Sequence, residues 1–104
     1  MKQDTAVKCL SAIAHDGRLS VMRRLIKAGP AGMASGELAA VEKIKTTTAS
    51  AQLLVLANTD LVTSKRDGKQ IIYSANFKTF QSLITFLMED CCAGSTDGGS
   101  SCGT

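Results

Sequence analysis

Apolar residues recur at helical spacing through most of the chain. Val7, Leu10, Ile13 and Ala14 lie on one side of a first predicted helix, which Asp4 is placed to cap. His15-Asp16-Gly17 breaks it. Leu19, Met22, Leu25 and Ile26 then form a second stripe, with Arg18, Arg23, Arg24 and Lys27 on the polar side, and Gly29-Pro30 ends that helix. Ser35 caps a short third helix through Glu37, Leu38 and Ala40. A polar bend over residues 42–47 leads to a fourth helix, with Ala49, Leu53 and Leu56 at i, i+4 and i+7. Helix, short turn, helix is the outline of a helix-turn-helix unit.

The period then changes. Residues 61–66 and 69–74 are short β-favouring runs separated by Asp67-Gly68, a pair that suits a type I′ hairpin turn. Asn76 caps a last helix carrying Phe80, Leu83, Ile84, Leu87 and Met88 on one face. The predicted order is α-α-α-α-β-β-α, a mainly α, α+β winged helix-turn-helix.

Beyond Asp90 the chain has no apolar residue of any size except Cys91, Cys92 and Cys102, set in a run dominated by Gly, Ser and Thr. Such a segment cannot bury enough surface to pack. The expected organisation is a folded DNA-binding and dimerisation domain over residues 1–90 and a flexible cysteine-bearing tail over residues 91–104. A length of 104 residues leaves no room for a second core, and 4% aromatics without Trp put the core on aliphatic side chains.

The net charge of +3 permits nucleic acid as a partner without demanding it. Placement says more: nine of the twelve Lys and Arg residues lie between Arg18 and Lys69. No apolar run is long enough to span a bilayer, and the N-terminus has no signal-peptide core, so a cytoplasmic protein away from membranes is expected. There thiols stay reduced, and the cysteines read as ligands or sensors rather than structural disulfides. Catalysis is not expected, since the tail has no His partner, no phosphate loop is present and no carboxylates are paired.

Three stretches, in order, resemble the ArsR/SmtB family of metal-responsive repressors. Ala12-Ile13-Ala14-His15-Asp16-Gly17-Arg18-Leu19 is similar to the family's opening signature. Residues 50–56, with Ser50, Gln52, Leu53 and Leu56, resemble its recognition-helix pattern Ser-x-His-Leu-x-x-Leu. Asp60-Leu61-Val62 through Gly68 and Ile71-Ile72-Tyr73 resemble the helix end and wing. The likeness covers residues 5–92. It departs at Gln52, where the family has His, and at Asp60, where it has Gly. Gln still reads adenine, and Asp accepts a left-handed conformation less readily than Gly.

The resemblance implies a homodimer built on the first and last helices and bound to double-stranded operator DNA. Thr46, Thr47, Thr48, Ser50 and Gln52 are the expected base-facing residues. Lys43 and Lys45 before the fourth helix, and Lys65, Arg66 and Lys69 on the wing, supply positive charge where phosphate contacts or a minor-groove insertion are expected. Cys91, Cys92 and Cys102 form a candidate soft site. Three thiolates suit trivalent arsenic or antimony, whose lone pair takes the apex, better than zinc. Within the family a Cys-Cys pair after the last helix resembles arsenic-sensing members. Function is therefore expected to be metalloid-responsive repression, with release from DNA when the inducer binds. The alternative is a thiol-based redox or persulfide sensor on the same fold, pairing Cys91 or Cys92 with Cys102. Cys9 is expected to pack in the core, or to approach a partner's tail. His15 is expected to cap or pack.

Overall fold

The computed structural model describes residues 1–89. Cys91, Cys92 and Cys102, and the tail expected over 91–104, lie outside the described residues. The elements run α1 (Gln3–Ile13), α2 (Asp16–Ala28), a 3-10 turn (Gly29–Ala31), β1 (Met33–Ala34), α3 (Ser35–Glu42), α4 (Thr46–Ala57), β2 (Val62–Asp67), β3 (Gln70–Ala75) and α5 (Phe77–Met88). This is the winged helix-turn-helix expected from the sequence, with one strand more than the periodicity shows.

α1 enters at Lys2 rather than at Asp4. Asp4 sits in the first turn with no capping bond, where its charge suits the positive end of the helix. Its buried side is Ala6, Cys9 and Ala12, while Val7 and Leu10 of the predicted stripe face outward. Small side chains let α1 lie close on the core. α2 starts at Asp16 after an extended His15, so Gly17 is helical rather than part of the break. The guanidinium of Arg18 reaches the carbonyl of Ala12 and ties this corner together. α2 buries Val21, Met22 and Leu25, and Gly29 closes it with φ 72°, as a helix terminator should.

β1 holds only Met33 and Ala34, paired antiparallel with Tyr73 and Ile72, so the sheet order is β1-β3-β2. Gly32 precedes it with φ 68°, and a Cβ there would stand 2.3 Å from the carbonyl oxygen of Tyr73. No other residue fits that approach. Ala34, not Ser35, is the N-cap of α3, and its N–H donates to the Glu37 carboxylate at 3.1 Å. The hairpin also differs by one residue. Asp67 pairs with Gln70, which leaves Gly68 and Lys69 at the centre. Gly68 has φ 65° and Lys69 is not in the positive region, the signature of a type II′ turn rather than type I′.

The core is aliphatic, as the composition requires. Met22, Leu25, Leu38, Leu53, Leu56 and Leu61 are its largest fully buried side chains. Each such Leu contributes roughly 1.5–3 kcal/mol by leaving water. α5 is capped by Asn76, which accepts the Thr79 N–H at 3.4 Å. Of its predicted stripe only Leu83 is buried, with Phe80 partly so, while Ile84, Leu87 and Met88 stay exposed. No helix among the described residues is long and apolar enough to cross a membrane.

Candidate nucleic-acid interface

Four structural devices hold α3 and α4 as a helix-turn-helix. Lys43 adopts φ 57°, ψ 44° at the end of α3, and the Ile44 N–H donates back to the Ala39 carbonyl at 3.0 Å. This is a Schellman closure with lysine where glycine is usual. Glu42 then binds α3 to α2. Its carboxylate accepts from the Ser20 hydroxyl and from Arg24 Nε, the latter at 2.5 Å. These contacts, Ser20 first and Arg24 second, hold the Glu42 carboxyl below the ordinary range. On the inner side of α4, Ala49, Leu53 and Leu56 are fully buried, as their spacing predicts. At its far end Asp60 takes φ 61°, a left-handed turn that carries the chain into Leu61 and β2.

The N-terminus of α4 is open. Lys45 caps it in extended conformation without a side-chain bond, and Thr46, Thr47 and Thr48 are exposed. The first helical N–H groups lack intrahelical partners and carry partial positive charge toward solvent. Beside them runs a groove of about 480 Å³. Thr46 and Ser50 form one wall, Lys69, Gln70, Ile71 and Tyr73 of the wing another, and residues 34–37 close its end. Cross-strand partners share a sheet face. Arg66, opposite Ile71, therefore lies on the groove side of the wing, whereas Lys65, opposite Ile72, lies on the reverse side. Arg66 Nε donates weakly to the Gly68 carbonyl at 3.4 Å. Lys43, Lys45, Lys65, Arg66 and Lys69 are all exposed, and Glu37 and Asp67 are the nearby acidic residues.

Gln52 stands apart from the other residues expected at this surface. It is half-buried, and its Oε1 is enclosed with no hydrogen-bond partner. Its amide nitrogen lies against Gly17 of α2. The wall residues Gln70, Ile71 and Tyr73 were not legible as site residues, because only the folded hairpin brings them to α4. Leu54 was legible in principle. It falls at i+7 from Thr47, opposite the core stripe, and is 62% exposed.

Cys9 is fully buried, and its thiol donates to the Thr59 carbonyl at 3.6 Å. Burial, and then the Asp60 carboxylate, push the thiol up, so it stays protonated near neutrality. That suits core packing. Among the described residues, no group of three or more His, Cys, Asp and Glu is placed to hold a metal ion. His15, the sole histidine, is exposed at the α1–α2 corner.

No protein-family model matches the chain, and no curated protein matches its sequence. Solved structures do. An ArsR-like transcriptional regulator from Rhodococcus sp. RHA1 superposes with TM-score 0.72 at 20% identity, over 81% of this chain and 76% of that one. A homodimeric winged helix-turn-helix DNA-binding domain from Mycobacterium bovis, a possible ArsR-family regulator, gives 0.67 at 23% identity, over 85% and 82%. The AntR antimony-specific transcriptional repressor gives 0.63 at 28% identity, over 78% and 72%. The structural neighbours are thus ArsR-family winged-helix regulators, and this chain has their winged helix-turn-helix fold.

Proposed function

We propose that the protein is a dimeric transcriptional repressor that leaves its operator when trivalent arsenic or antimony binds Cys91, Cys92 and Cys102. The observation that carries the DNA reading is the groove between Thr46 and Ser50 of α4 and Lys69 of the wing, with Lys45 exposed at the start of α4 and Arg66 on the groove side of the hairpin. In this reading α4 enters the major groove, and the wing and pre-helix lysines neutralise phosphates. Thr46, Thr47, Thr48 and Ser50 face the bases, and Gln52 joins them only by leaving Gly17.

An apolar face supports the dimer. Val7 is 52% exposed, and Ile84 and Leu87 are 57% and 55% exposed, with Leu10 and Met88 beside them on α1 and α5. Large apolar side chains left exposed on these two helices support an interface there. In the dimer each chain contributes residues 1–90 as the folded unit and 91–104 as the sensing tail. The likeness to an antimony-specific repressor supports a metalloid inducer, as does the chemistry of three thiolates. Ligation shifts the dimer toward a form that fits DNA less well, with a coupling of ~1–3 kcal/mol typical of such linkage.

Fluorescence anisotropy on DNA from upstream of its own gene tests this, with arsenite and then a trivalent organic arsenical titrated into reduced protein. Release by arsenite that is lost in Cys91→Ser, Cys92→Ser and Cys102→Ser supports a three-sulfur sensor. Release by the organic arsenical alone would leave two working thiols. Binding that only an oxidant or persulfide disturbs would overturn the metalloid reading.

A further inference from the structure

The outward stripe of α4 is Thr47, Ala51 and Leu54, at i, i+4 and i+7, directly opposite the buried Ala49, Leu53 and Leu56. It carries no charge, and two of its three side chains carry no hydrogen-bonding group. Leu54, at 62%, is a large apolar side chain left in water on α4. The groove toward α1 takes Val55, Asn58 and Thr59, and the groove toward the wing takes Thr46 and Ser50. Leu54 lines neither. Packing within the chain therefore leaves its exposure unexplained.

We propose that this stripe reads thymine C5-methyl groups, so that the protein selects A·T pairs by apolar contact at the centre of each half-site. The proposal rests on the DNA reading above and specifies how that surface discriminates. In the major groove thymine alone presents a methyl group, whereas guanine presents two acceptors and cytosine a donor. Ala51 and Leu54 can bond neither. Polar edge groups of any base pair beneath them lose water without replacement, but only thymine offsets that cost with a methyl that buries apolar surface on both sides. The exposed Lys45 at the start of α4, and Lys69 across the groove from Thr46 and Ser50, supply the charge that a nucleic-acid occupant requires and that an apolar protein surface would not match.

Full-length protein is used to enrich duplexes from a random library. The best duplex is then remade with deoxyuridine for thymine at the enriched positions. Losing one buried methyl costs roughly three- to fourfold in affinity, so the dimer is expected to bind the deoxyuridine duplex roughly tenfold or more weakly. In Leu54→Ala, whose site is exposed and whose fold is checked by circular dichroism, that ratio falls toward one. Lys65→Ala should weaken both duplexes equally. Equal wild-type affinity for the two duplexes, or enrichment of G·C pairs at the half-site centres, would overturn the methyl reading while leaving DNA binding intact. Recovery of no selected sequence at all would overturn the DNA reading itself.

Discussion

A Cβ on Gly17 would stand 2.4 Å from Nε2 of Gln52, so the start of α2 and the middle of α4 meet where no side chain is accommodated as they stand. The contact leaves Gln52 Oε1 buried without a donor. A buried, unpaired amide oxygen is a standing cost of about 1–3 kcal/mol. Gln52→Leu keeps much of the shape and removes the orphan, so it should stabilise the fold by about 1 kcal/mol. A urea denaturation midpoint below wild type would show that the amide contributes more than its oxygen costs.

Asp60 holds a left-handed backbone, φ 61°, where glycine would be at ease. Non-glycine residues pay roughly 1 kcal/mol or more for that conformation. Asp60→Gly should therefore raise the thermal midpoint, by a few degrees for a domain of this size. It also removes the carboxylate that helps to push the Cys9 thiol upward. No gain in stability would mean that the aspartate is held by something its geometry does not disclose.

Glu42 joins α2 to α3 through Ser20 and Arg24, and its carboxyl is held low by them. Such a group stabilises the fold above the unfolded glutamate value of about 4.3 and ceases to do so as pH falls through its own lowered value. Half of the Arg24 side chain is in water, which keeps the contribution modest. Glu42→Gln should cost about 0.5–1 kcal/mol at pH 7, with the difference shrinking as pH falls through that lowered value. A difference that persists undiminished in acid would rule out the ionised carboxylate as its source.

Lys65 and Arg66 lie on opposite faces of the wing, so between them they can meet a phosphate backbone on either face. Removing each phosphate contact lowers the slope of log affinity against log salt by about one. The double variant Lys65→Ala, Arg66→Ala should bind all DNA sequences more weakly at ~0.15 M salt and show a flatter salt dependence. An unchanged slope would take the wing off the DNA.

The sequence by itself determined the helices, the turn between the third and fourth, and the inner face of α4. Ala49, Leu53 and Leu56 are buried as their spacing demands, Gly29-Pro30 ends α2, and the departure at Asp60 foretold a left-handed turn in a residue that only tolerates one. These are local matters, set by side-chain period and by the backbone freedom of single residues. Only the tertiary structure decided which side of α1 faces the core. α1 turns Ala6, Cys9 and Ala12 inward and leaves Val7 and Leu10 outside, because periodicity marks a stripe but not the partner that covers it. β1 is two residues long and exists through its bonds to β3, with no period to announce it. The turn moved by one residue because strand pairing, not the Asp67-Gly68 pair alone, sets the register. Gln52 belongs with the residues expected to face DNA by its neighbours in the chain, yet the packing of α4 on α2 takes it to Gly17. Contacts between elements distant in sequence are decided by packing, and packing is a property of the whole chain.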